Sequence, residues 1–194
     1  MAKINTFMKK LFFSMVLAAS SFLAVNAQEI PEPDFVGEAI LVRANQDVVP
    51  LDKSTSQNRS VASTGLIMTG IGKVRTQIQI DGCCSSVKVK KNEKVQFIIK
   101  NVDNQTDPMS IIKIFKFEPK KNVRRAELSS VSSLGGAAKS NNLAYVPFKG
   151  KKYGTSSYLI TLDKQEIGEY GIIISNPNSL DEKSVIVSSF AITN

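Results

Sequence analysis

Short alternating or β-branched segments recur along this chain, parted by turn residues, and no helical period is sustained anywhere. Lys73 to Ile80 is the clearest case. Val74, Thr76, Ile78 and Ile80 share one face, expected to point inward, while Arg75, Gln77 and Gln79 share the other. Asp81-Gly82 makes a turn, Val87 and Val89 alternate with Lys88 and Lys90, and Lys91-Asn92-Glu93 leads into Val95 to Val102. In Met109 to Phe117, Ile112, Ile114 and Lys116 oppose Lys113, Phe115 and Phe117, a pattern that suits a strand covered on both faces or an edge touching another element. Strands are also expected over 36–42, 48–51, 61–68, 123–131, 155–162, 169–175 and 184–193, the last two joined by Asn176-Pro177-Asn178-Ser179. Asp52 to Ser60 reads as a polar loop, and Ser132 to Asn142, with Gly135-Gly136, as a long exposed one. About nine to eleven strands at spacings near ~8–12 residues predict an all-β antiparallel sandwich.

One local pattern narrows the architecture. Glu166-Ile167-Gly168-Glu169-Tyr170-Gly171-Ile172 resembles the corner of immunoglobulin-like sandwiches, in which a Tyr at the start of the penultimate strand bonds its hydroxyl back to upstream backbone. The resemblance implies a structural role for Tyr170 and no activity. The stretch from Arg124 to Ile174, with Arg-Arg-Ala-Glu-Leu-Ser-Ser, Tyr-Val-Pro-Phe and Gly-Glu-Tyr-Gly-Ile-Ile, is also similar to uncharacterised exported β-sandwich proteins of Gram-negative bacteria. No reaction is attached to that family, so no functional residue carries over.

The first 27 residues read as an address. Lys3, Lys9 and Lys10 precede an apolar run from Leu11 to Val25, and Ala24 and Ala27 supply the small residues of a secretory cleavage site. The run, diluted by serines, falls short of the ~20 apolar residues that span a bilayer. Cleavage after Ala27 takes away three lysines and leaves 22 basic against 17 acidic groups, a net charge of +5 in place of +8. Gln28 to about residue 35, with two prolines, reads as an extended arm ahead of a single domain over 36–194. No later segment is apolar enough for a transmembrane helix. The expected residence is the periplasm or the cell surface.

The chain has no histidine, which removes Ser-His-Asp and Cys-His nucleophile systems and imidazole metal ligands. No cofactor or metal motif is recognised. Paired acids such as Glu166 and Glu169, or Asp181 and Glu182, are the remaining route to a carbohydrate-active enzyme, although both pairs fall at expected turns. Cys83-Cys84 is the other unusual feature. An oxidising compartment favours a bridge, yet adjacent Cα atoms are ~3.8 Å apart, below the usual ~4.4–6.8 Å, so a vicinal bond is expected to be easily reduced. The preferred reading is two free thiols, one inward and one outward, because a free Cys is often simply a small buried hydrophobe.

The charge clusters are basic. Lys88, Lys90, Lys91 and Lys94, with Lys120, Lys121, Arg124 and Arg125, form a candidate patch for an anionic glycan, lipopolysaccharide or another envelope protein. Lysines on exposed strands also discourage unwanted pairing. Nucleic acid is a poor partner, because no aromatic ladder interleaves the charges. The reading that results is an exported, non-catalytic binding or scaffold module of the cell envelope. Its alternatives are an enzyme using carboxylates or the cysteine pair, and an envelope structural subunit that donates its arm.

Overall fold

The computed structural model describes residues 30–163, 166–175 and 185–194. The expected leader and the Asn176–Ser179 turn lie outside them. The chain divides into a unit ending at Pro31 and a unit over Glu32–Asn194. The second unit holds every strand and helix among the described residues, and it takes in four residues expected as arm.

The fold is the expected all-β sandwich, with fourteen strands and two short helices among the described residues. One sheet has the order β11(Phe148–Tyr153)-β12(Ser157–Leu162)-β7(Gln96–Lys100)-β1(Ala39–Val42)-β2(Val48–Pro50). The other runs β3(Asp52–Thr55)-β14(Ile186–Thr193)-β13(Gly168–Ile174)-β8(Ile112–Pro119)-β9(Val123–Ser132)-β5(Lys73–Asp81)-β4(Gln57–Ala62). β6(Lys88–Lys90) pairs in parallel with the end of β14, and β10(Ala138–Lys139) pairs with β9. The neighbours β11-β12-β7-β1 and β14-β13-β8 reproduce the D-E-B-A and G-F-C orders of an immunoglobulin-like sandwich. Tyr170 makes the corner, its hydroxyl donating to Glu166 O at 2.5 Å.

The second sheet nearly closes on itself. Its two edges, β3 and β4, are one run of chain separated by Ser56, whose first half pairs with β14 and second half with β5. β8 is thereby covered on both faces, the first of the two arrangements its pattern allows. Ile112 and Ile114 face the sandwich interior with Phe97, Ile99, Tyr158, Tyr170, Ile172 and Phe190; the Phe190 ring meets those of Phe97 and Tyr170 at 4.8 and 5.2 Å. Phe115 and Phe117 face a smaller interior with Ile78, Ile80, Ala126 and Val187. Gly171 permits that packing, since a Cβ there would stand 2.6 Å from the Phe117 ring.

Several local expectations change. The segment 52–60, read as a loop, forms β3 and most of β4, because a polar run that lies on a sheet edge needs no apolar face. The strand expected over 61–68 stops at Ala62. Ser63 caps a helix, α1(Thr64–Thr69), closed by Gly70 in the left-handed region at φ 71°. Asp107 likewise caps α2(Pro108–Ile111) ahead of β8. On β5 only Ile78 and Ile80 of the expected inward face are buried, since Val74 and Thr76 lie where the β4–β5 hairpin extends past the interior. β11 has no counterpart in the sequence reading: Gly150 and three lysines in six residues hide an edge strand.

Candidate functional site

β5 presents Lys73, Arg75 and Gln77 on its outer face, and β9 and its preceding turn add Arg125 and Lys120. These side chains, with Val61, Ala62, Ser63 and Glu118, line a groove of about 230 Å³. Four cations and a single carboxylate therefore share one concave surface. Lys120 pairs with Glu118 at 3.5 Å, an exposed pair that exchanges readily with a competing anion, and Arg75 with the half-buried Glu127 at 3.4 Å. Among the described residues neither Lys73 nor Arg125 forms an ion pair, and Arg125 is aimed by donating from Nε to Gln79 Oε1 at 2.9 Å.

Beyond the groove, α1 and the loop after β9 form an apolar tip. Ile67 is 74% exposed and Met68 78%, with Ile71, Val131 and Leu134 also exposed. The two segments are tied together, since Ser133 N donates to Gly72 O at 2.9 Å and Gly72 N donates to Ser133 Oγ at 2.9 Å.

The expected basic patch divides. Lys88 and Lys90 lie exposed on one face of β6, with Val89 turned inward, and Lys91 and Lys94 follow as exposed residues. Lys120 and Lys121 stand on the β8–β9 turn, several strands away across β14, β13 and β8. Arg124 leaves the patch altogether. It is only 3% exposed and lies opposite Ile80, on the inner face of β9, so alternation turns Arg124 inward and Arg125 out. Lys73 and Arg75, the cations that complete the groove, are absent from the patch expected from sequence. Their signal is the same alternation that puts Arg75, Gln77 and Gln79 on one face.

Arg124 organises a buried polar network. Its Nη1 donates to Glu169 Oε2 at 3.2 Å and Ser189 Oγ at 3.1 Å, its Nε donates to Gly82 O at 3.2 Å, and its Cζ lies 5.9 Å from the Phe117 ring centre. Glu169 Oε2 also accepts from Ser85 N at 2.8 Å, and Ser85 Oγ donates to Asp52 Oδ2 at 2.7 Å. Burial pushes the Asp52 carboxyl up, but hydrogen bonds from Ser86, Ser85 and Val87 outweigh it and hold the group below the usual range. The network brackets Cys83 and Cys84, which form a disulfide and are both exposed, in place of the free inward-and-outward pair expected. Gly82 takes φ 82°, a conformation open to glycine, and donates from N to Asn122 O at 2.9 Å. The disulfide thus sits beside the Lys120–Asn122 turn.

The acids considered for catalysis do not face one another across the groove. Glu169 is committed to Arg124, Glu166 pairs with Lys116 at 3.1 Å on the surface, and Asp181 and Glu182 lie outside the described residues. The expected arm is anchored. Glu32 accepts from Thr155 N at 2.7 Å, Ser156 N at 3.2 Å and Ser157 Oγ at 2.5 Å, with Lys100 at 3.7 Å. The Ser157 and Thr155 bonds pull its carboxyl down to about 2 against a modest opposing effect of burial.

No family model, curated protein or solved structure matches this chain. No helix among the described residues is long and apolar enough to cross a membrane.

Proposed function

We propose that this protein is an exported, non-catalytic binding module of the cell envelope, and that its ligand is an anionic amphiphile. The groove lined by Lys73, Arg75, Lys120 and Arg125 against Glu118 alone carries the reading. Its positive field favours a phosphate- or carboxylate-bearing group. The apolar tip at Ile67 and Met68 offers the adjoining hydrocarbon a surface outside water. A lipid headgroup region, or a lipid-linked glycan such as lipopolysaccharide, has both parts in that order. The leader at residues 1–27 supports placement where such molecules occur. The alternative of a donated structural arm draws less support, because Glu32 is already held by the chain's own β11–β12 hairpin.

Vesicle co-sedimentation tests this. Binding to phosphatidylglycerol vesicles should exceed binding to phosphatidylcholine vesicles and fall steeply as salt shortens the Debye length from ~10 Å to ~3 Å. Lys73→Gln with Arg125→Gln should weaken it about ten-fold or more, at ~1 kcal/mol per charge. Ile67→Ser with Met68→Ser should weaken vesicle binding while sparing a soluble polyanion such as dextran sulfate. Equal retention on neutral and anionic vesicles would overturn the groove as the site.

A further inference from the structure

A disulfide usually stabilises a protein by tying together segments that the unfolded chain lets separate, and the gain grows with the loop it closes. The Cys83–Cys84 bond closes no such loop: the residues are adjacent and their Cα atoms are 3.8 Å apart. Nor does the turn need it. On one side Gly82 is held by Asn122 O and by Arg124 Nε. On the other, Ser85 is held by Asp52, Glu169 and Ser189 O, and both the amide and hydroxyl of Ser86 donate to Asp52. A covalent bond that is exposed, flanked by fixed backbone and redundant as a cross-link is placed for chemistry.

We infer that Cys83–Cys84 is a two-electron acceptor for dithiols, exchanging with a protein or small-molecule dithiol without any change of fold. The partner's thiolate attacks one sulfur of the pair. That forms a mixed disulfide, breaks the vicinal S–S bond and leaves the neighbouring cysteine as a thiolate, which takes up a proton. The partner's second thiol gives up its proton and attacks the partner sulfur of the mixed disulfide. The partner closes its own disulfide, and the second cysteine leaves as a thiolate and is protonated. Two electrons and two protons pass to the protein, and the dithiol is oxidised. A monothiol stalls after the first step, because the freed neighbour re-attacks at the effective concentration of an adjacent residue. This inference is independent of what occupies the groove.

The test incubates the oxidised full-length protein, under native conditions, with dithiothreitol or with glutathione at equal thiol concentration. Acid quenching, alkylation and intact mass then count free thiols. Dithiothreitol should reduce both cysteines at a rate within about three-fold of that in denaturant, and glutathione should yield at least about ten-fold less doubly labelled protein. The reduced protein and the Cys83→Ser/Cys84→Ser variant should melt within error of the oxidised form. Equal reduction by the two reagents would overturn the dithiol assignment. Reduction that requires denaturant, or a lowered melting midpoint in both the reduced protein and the variant, would show a structural bond instead.

Discussion

The two faces of β8 lead to different interiors. On the sandwich side Ile112 and Ile114 enter a large cluster with Phe97, Tyr170 and Phe190, drawn from both sheets. On the other side Phe115 and Phe117 enter a small one closed by β5, β9 and the β3–β4 run. Arg124, the buried charged residue among those described, belongs to the smaller side. So do the groove, the apolar tip and the disulfide turn. Labour is divided between the two: the large interior supplies rigidity, and the added layer holds unusual surface chemistry at the expense of a thinner core.

The largest expected effect is in the sandwich. Phe97→Ala should cost about 3–5 kcal/mol in urea unfolding and raise amide exchange throughout. Phe117→Ala should cost about 3 kcal/mol, with faster exchange concentrated in β4, β5 and β9. Uniform acceleration in both variants would erase the distinction between the two interiors.

Arg124→Met comes next. It leaves Glu169 mostly buried without its cation and should cost about 3 kcal/mol, measured by chemical denaturation. Adding Glu169→Gln should recover part of that loss. A double variant no better than the single one would mean that the ion pair is not what matters there.

The smallest effect is at the sandwich edge. Glu32→Gln should cost about 2 kcal/mol, as for hydrogen bonds to a charged group. Because the Glu32 carboxyl is held at about 2 against an ordinary 4.5, its contribution is complete above pH 4.5 and drains away as the pH falls towards 2. Melting midpoints of Glu32→Gln should therefore vary less between about pH 5 and 2 than those of the unaltered protein. Asp52, also lowered, supplies part of what remains of the acid sensitivity. Parallel pH curves for the two proteins would remove Glu32 as an anchor.

Much of the architecture was legible in local pattern. The alternation at 112–117 narrowed β8 to a strand covered twice or an edge meeting another element, and Glu166–Ile172 foretold the Tyr170 corner. Less of the candidate site was. Arg124 and Arg125 are adjacent and chemically alike, and only the pairing of β9 with β5 decides which one faces in. The segment 52–62 has no apolar stripe because it pairs at two sheet edges, and Lys73 joins Lys120 only because the outer face of β5 meets the β8–β9 turn in the folded state.

The sequence alone determined the all-β class, the absence of imidazole chemistry and the adjacency of two cysteines, because these depend on composition, period and covalent order. Tertiary structure decided which charges lie inside and which converge outside, and it placed hydrogen bonds on both sides of the cysteine pair. Those outcomes depend on contacts between residues far apart in the chain, which a one-dimensional pattern does not encode.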